Sequence, residues 1–143
     1  RGPQPVRRID RASDREGHER VLVVDDREDL AELARMILES HGYRVEAFTD
    51  PQAALQRIAE DAPFDILFTD IVMPGDLNGV SLARRARAIR PGMKVLLTTG
   101  YASQSLQRTD AGGIAFDVLS KPYSRTDLLR KIRFVLDGPT GVS

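Results

Sequence analysis

Short apolar runs alternate along the chain with segments in which apolar residues recur every three or four positions. The runs, at residues 20–24, 44–49, 64–68, 93–99 and 114–120, have the length of β-strands, and the periodic segments predict amphipathic helices. The helical positions are Leu30, Leu33, Ala34, Ile37 and Leu38, then Ala54, Leu55, Ile58 and Ala59, then Leu82, Ala83, Ala86 and Ile89, and last Leu128, Leu129, Ile132, Val135 and Leu136.

A further helix is predicted within residues 101–110, which are mostly polar, so we expect it to be short and weakly held. Strands and helices thus alternate five times. This alternation predicts a doubly wound α/β fold: a flavodoxin-like five-stranded parallel sheet of order 2-1-3-4-5, with right-handed crossovers and helices on both faces.

Residues with strong local preferences mark the helix ends. Gly42 ends the first helix, and the Asp50-Pro51 pair provides a cap and a first helical residue for the second. Ser124 and Asp127 resemble a capping box for the last helix.

The composition changes at residue 20. Residues 1–19 are rich in charge and proline and have few apolar residues, so we interpret them as a flexible linker or tail. Residues 20–138 form one domain, and residues 139–143 a C-terminal tail.

Charge and composition exclude several classes of function. The 21 Lys and Arg residues balance the 21 Asp and Glu residues, which argues against direct binding to nucleic acid or to a membrane surface. No apolar run has the length of a membrane-spanning helix or a signal peptide, so we expect a cytoplasmic protein. The chain has no cysteine and only two isolated histidines, so any metal must be bound by oxygen.

Polar residues stand at the predicted carboxyl ends of four strands: Asp25, Asp26, Asp70, Thr99 and Lys121. Strands 1 and 3 are neighbours in the predicted order, so the three carboxylates should converge, which is unfavourable without a cation or a proton. Oxygen ligands of this kind favour Mg²⁺, and Mg²⁺ favours phosphate chemistry. An aspartate can attack a phosphoryl group while a lysine neutralises charge and a hydroxyl donates a hydrogen bond.

Four separated motifs in the same order, VLVVDD, FTDIVMP, LLTTG and SKP, resemble the receiver domain of two-component response regulators. The resemblance covers almost all of residues 20–137. It implies a domain that takes a phosphoryl group from a phosphohistidine and switches protein contacts in signalling. Such a domain catalyses its own aspartyl phosphorylation and dephosphorylation and is not an enzyme in the ordinary sense.

The resemblance also implies roles for single residues. Asp70 is similar to the phosphoacceptor, and Asp25 and Asp26 to the acidic pair that binds Mg²⁺. The remaining matches are Thr99 with the hydroxyl that contacts the phosphoryl group, Lys121 with its paired lysine before a proline that is often cis, and the main-chain carbonyl of Val72 with a third metal ligand. Thr98 has the weaker claim, because Gly100 follows Thr99 as in the family pattern.

The chain departs from the family pattern at two places. Val118 stands where the family usually has an aromatic residue that reports phosphorylation, and Tyr101 is a candidate substitute. Gly75 and Asp76 follow Met73-Pro74, a loop variant that loosely resembles receivers attached to hybrid sensor kinases.

Three alternatives stay open. A flavodoxin-like cofactor binder shares the sheet order, but Asp25 and Asp26 would repel a flavin phosphate. A receiver-like docking module would act without phosphorylation. An aspartyl phosphatase usually has a second aspartate two residues after the first, and here that position is Val72.

The partners implied are a histidine kinase or histidine phosphotransfer protein, and a downstream protein that binds the fourth predicted helix and the last strand. Few residues follow the final helix, so we expect output through protein contacts. The charged leader favours the C-terminal receiver of a hybrid sensor histidine kinase over a free-standing regulator. The arginines of the third helix, Arg84, Arg85, Arg87 and Arg90, are interpreted as a solvated face in preference to a docking patch.

Overall fold

The structure is a computed structural model that describes residues 17–60, 63–73, 75, 77–100 and 116–138. Its strands are β1 (Arg20–Val24), β2 (Arg44–Phe48), β3 (Ile66–Asp70), β4 (Lys94–Thr99) and β5 (Asp117–Ser120). Its helices are α1 (Glu28–Glu39), α2 (Pro51–Ala59), α3 (Gly79–Ile89) and α4 (Arg125–Asp137). The helix predicted within residues 101–110 and the start of the last predicted strand lie outside the described residues.

The five strands form one parallel sheet in the order β2-β1-β3-β4-β5, which confirms the predicted topology. Side chains alternate between its two faces. Leu67 and Leu97 pack with α2 and α3 in one apolar core, whereas Phe68 and Leu96 pack with α1 and α4 in the other. Because both faces are covered, β3 is buried along its whole length, as expected of a central parallel strand.

The predicted helix signals operate as expected. The Asp50 carboxylate accepts a hydrogen bond from the Gln52 N–H at 3.1 Å, and Pro51 is the first residue of α2. Ser124 and Asp127 form a reciprocal capping box at the start of α4. Gly42, with a φ of 96°, reverses the chain just after α1.

Three residues of the predicted buried stripes are exposed, one of them Ala59 at the last position of α2. Leu33 of α1 is 50% exposed, because the buried face of that helix is formed by Ala31, Ala34 and Leu38. Ile89 is 38% exposed at the last position of α3. The apolar spacing therefore identified these helices correctly. On α1, however, the predicted buried face is rotated slightly from the observed one.

Two residues of the predicted leader, Gly17 and Glu19, contact the folded domain. The Gly17 N–H donates to the His41 carbonyl at 2.9 Å. Glu19 forms an ion pair with Arg133 of α4, with 2.7 Å between Oε2 and Nη2, and both side chains are largely buried. These contacts make residues 17–19 part of the packed domain.

Candidate functional site

Three carboxylates meet at the carboxyl edge of the sheet. Asp25 follows β1 and Asp70 ends β3, and these two strands are hydrogen-bonded neighbours. The ligating oxygens of Asp25, Asp26 and Asp70 all lie within 4.8 Å of one another. Asp25 and Asp70 are buried, whereas Asp26 is exposed, so one side of the cluster is accessible to solvent. The predicted convergence of the three acids is confirmed.

Main-chain hydrogen bonds fix the position of Asp25. Its N–H donates to the Phe48 carbonyl of β2 at 3.0 Å. Its Oδ1 accepts from the N–H of Arg27 at 2.9 Å, which turns the chain toward α1. The main chain of Asp25 is therefore held by the neighbouring strand β2, and its carboxylate by the N-cap residue of α1.

The loop after Asp70 is closed against the strand by a glycine. The Gly79 N–H, at the start of α3, donates to the Ile71 carbonyl at 2.9 Å. A Cβ at Gly79 would lie 2.1 Å from the Asp70 carbonyl oxygen. Only glycine permits this approach, so the Asn78-Gly79 step brings the start of α3 directly onto the backbone of the central aspartate.

Lys121 provides the positive charge of the site. Its Nζ lies 3.1 Å from Asp25 Oδ2 and 3.5 Å from Asp70 Oδ2. Its N–H donates to the Thr99 carbonyl at 2.8 Å, and its peptide bond to Pro122 is cis, as the resemblance implied. Together, Lys121 and the three carboxylates carry a net negative charge.

The pKa of Asp70 is raised above its ordinary value. Burial is the largest cause, and the charges of Asp25 and Asp26 add to it, whereas Lys121 acts in the opposite direction. A cation placed among the carboxylates would relieve this cost. The electrostatics of the site therefore favour the binding of a cation.

The two predicted hydroxyl residues lie at the end of β4. Thr99 is buried and its carbonyl binds the main chain of Lys121, so it stands at the same edge as the acids. Thr98 pairs in register with Asp70 across β3 and β4. The Thr98 hydroxyl is buried and has no hydrogen-bond partner among the described residues.

The structure also describes Val72 and Val118, two further positions singled out in the sequence. Val72, the predicted carbonyl ligand, lies two residues beyond Asp70 and is 50% exposed. Val118 is partly buried against the core of α2 and α3 and pairs with Leu97. Tyr101 and Asp76 lie outside the described residues.

Sequence reasoning missed Tyr123. Its ring packs edge-to-face on Phe68 with 6.0 Å between the centroids and 63° between the planes. Burial, followed by the charges of Asp25 and Asp70, raises the pKa of Tyr123 to about 12, so its hydroxyl stays protonated beside the site. The sequence feature that could have identified Tyr123 is its position two residues after Lys121, just beyond the end of β5.

Comparison with known proteins agrees with this geometry. The model of the response regulator receiver domain matches residues 21–133. The chain belongs to the response regulator receiver domain family. The response regulator receiver protein CpdR of Brucella abortus is 38% identical over 117 residues, which cover 82% of this chain and 96% of that protein.

Two further comparisons show how far the likeness to other receivers extends. The chain is 36% identical over 119 residues to the response regulator MprA of Mycobacterium leprae but spans only 50% of its length. A CheY-like receiver domain from Methanospirillum hungatei aligns with a TM-score of 0.75 at 36% identity, covering 85% of this chain and 95% of that one.

None of the helices in the described ranges, from residue 17 to residue 138 with their gaps, has the length and apolar character needed to cross a membrane.

Proposed function

We propose that this receiver domain accepts a phosphoryl group on Asp70 from a phosphohistidine of a partner protein, in a reaction that requires Mg²⁺. The observation that carries the proposal is the cluster of Asp25, Asp26 and Asp70 with Lys121 at the carboxyl edge of the sheet. The cytoplasmic location and the specific partners stay predictions.

The donor set fits Mg²⁺. The three acids offer hard oxygen ligands within 4.8 Å of one another, and the buried charge they create needs a cation. Asp25, Asp26 and Asp70 would hold the ion, with the Val72 carbonyl as a further ligand. When bound, Mg²⁺ neutralises charge on the phosphoryl oxygens.

The side chains of the domain supply the remaining chemistry. An oxygen of the Asp70 carboxylate attacks phosphorus, the bond from phosphorus to the histidine nitrogen breaks, and its electron pair returns to the imidazole. Lys121, already 3.5 Å from Asp70 Oδ2, pairs with the phosphoryl oxygens. Thr99 donates a hydrogen bond to the phosphoryl group.

The partners belong to the class that receiver domains use, histidine kinases or phosphotransfer proteins on one side and downstream effectors on the other. On α1, Leu33 and Met36 are 50% and 55% exposed. This helix begins three residues after Asp25, so its exposed apolar side chains are available to a protein that brings its histidine to the site. The fourth predicted helix and last strand remain the proposed output surface.

Acetyl phosphate tests the proposal without the natural partner. Incubation with Mg²⁺ should add one phosphoryl group, measured by intact-protein mass spectrometry, and EDTA should prevent it. Asp70→Asn should abolish the adduct, whereas Asp117→Asn, the same change at an exposed residue of β5, should not. Undiminished labelling of Asp70→Asn would refute the assignment, and no labelling of the wild-type chain would favour a phosphorylation-independent docking module.

A further inference from the structure

Helix α3 is the most positively charged element among the described residues. Residues 79–90, which include its C-terminal cap, contain four arginines and no acidic residue. Arginines on the other elements pair with carboxylates in several places, as Arg35 does with Glu39 and Arg57 with Glu46. The positive charge of α3 thus has little compensation on its own element.

Three of these arginines have no such partners among the described residues. Arg84, Arg85 and Arg87 form no ion pair or hydrogen bond through their guanidinium groups within the described part of the chain. Of the three, Arg85 is exposed, and Arg84 and Arg87 are partly buried. Arg84 and Arg87 are thus less open to solvent than Arg85.

The buried atoms of Arg84 and Arg87 include side-chain nitrogens that donate hydrogen bonds. Nε and Nη2 of Arg84 and Nε of Arg87 are shielded from water and have no acceptor among the described residues. An N–H group that loses water without gaining an acceptor is unfavourable. A carboxylate that drew these flexible side chains away from the surface would restore their hydrogen bonds and form charge-assisted pairs.

The surroundings favour a protein over a nucleic acid. Ile89 is 38% exposed and lies four residues after Arg85, on the same side of the helix. The formal net charge of the whole chain is zero, so the positive charge is local and limited to a surface one helix long.

We propose that α3 is a docking surface for a short acidic segment of a partner protein, whose carboxylates pair with Arg84, Arg85 and Arg87. Eleven helical residues extend about 16 Å, which matches about five residues of extended chain. None of the three arginines belongs to the acidic site, which is formed by Asp25, Asp26, Asp70 and Lys121. The proposal therefore does not depend on phosphorylation.

Arginine-labelled NMR on the full chain provides the test, with the peptide acetyl-Glu-Glu-Leu-Glu-Glu-amide as the probe. Its addition at low salt should shift the Nε–Hε signals of Arg84 and Arg87, and a peptide with lysine in place of glutamate should not. Binding should weaken as salt is raised. The double variant Arg84→Gln/Arg87→Gln should lose about fivefold in affinity.

The matched control is Arg125→Gln/Arg130→Gln, which removes the same charge from two exposed positions of α4 and should change affinity by less than about twofold. Equal losses in both double variants, or unmoved Nε–Hε signals, would overturn the proposal. Tighter binding of a single-stranded oligonucleotide with the same dependence on Arg84 and Arg87 would overturn the choice of partner. The wild-type shifts with the two peptides decide the matter even if a variant fails to fold.

Discussion

Replacing Asp70 with asparagine should stabilise the metal-free domain, although it destroys the proposed phosphoacceptor. The change removes one of three carboxylates whose oxygens lie within 4.8 Å of one another. It also removes the attraction between Asp70 and Lys121, at 3.5 Å. The outcome depends on which of these effects is larger.

Coulomb's law at an effective dielectric constant of about 20 gives the sign. Each repulsion at 4.8 Å is about 3.5 kcal/mol, and the attraction to Lys121 at 3.5 Å is about 4.7 kcal/mol. Two repulsions therefore exceed one attraction by about 2 kcal/mol. Because Asp26 is exposed, solvent screens its repulsion and reduces this excess. Asp70→Asn also removes the cost of burying the charge, which is the largest cause of the raised pKa, so we expect it to raise the free energy of unfolding by about 1–2 kcal/mol.

The stabilisation should depend on pH in a defined direction. Burial, opposed by Lys121 and assisted by Asp25 and Asp26, raises the pKa of Asp70 in the folded state above its ordinary 3.8. Protonation therefore favours the folded wild-type chain. The stability contributed by this group is fully present below the ordinary pKa and is lost as pH rises through the raised pKa. The advantage of Asp70→Asn should be largest near neutral pH and should vanish in acid.

Urea denaturation in EDTA measures the effect, with Asp117→Asn as the control for the chemical change alone. Mg²⁺ should then stabilise the wild-type chain more than it stabilises Asp70→Asn. An Asp70→Asn chain that is less stable than wild type at neutral pH, or a difference that does not shrink in acid, would refute the electrostatic account of the site.

Three further predictions concern residues around the site and the core. Gly79→Ala places a Cβ 2.1 Å from the Asp70 carbonyl oxygen and should cost about 1–3 kcal/mol in urea denaturation, whereas an unchanged midpoint would exclude the close approach. Thr98→Val removes a buried hydroxyl that has no partner in the described ranges and should raise stability by about 1 kcal/mol, seen as a higher melting temperature. Burial raises the pKa of Glu19, but hydrogen bonds from Arg133 outweigh it and hold that pKa at about 2. Glu19→Gln should therefore cost about 1–2 kcal/mol near neutral pH, a difference that calorimetry should find lost as pH falls from 4.5 through about 2.

The fold was predictable because its signals are local and repeated. The β-branched run of β1, the Asp50 cap and the Ser124 capping box each act within a few residues, and the alternation of elements leaves few topologies. The carboxyl edge of a parallel sheet then brings Asp25 and Asp70 together from adjacent strands. These steps need only spacing, propensity and the handedness of crossovers.

Other features depend on contacts that spacing does not encode. The pair of Glu19 and Arg133 joins residues 114 positions apart, so the composition of the leader gave no sign of it. The contact of Tyr123 with Phe68, and the lack of a partner for the Thr98 hydroxyl within the described residues, are set by how side chains fill the core around the site. Leu33 is exposed because Ala31 and Ala34 fill the face of α1 that meets the sheet.

The residue that carries the phosphoryl group decides whether Asp70 is the phosphoacceptor. After reaction with acetyl phosphate and Mg²⁺, borohydride should reduce an aspartyl phosphate to homoserine, which peptide mass spectrometry then locates in the sequence. We expect homoserine at position 70 and at no other aspartate, with none formed when Mg²⁺ is withheld. Homoserine at Asp25 or Asp26, or a phosphoryl group on a threonine that resists hydroxylamine, would contradict this expectation.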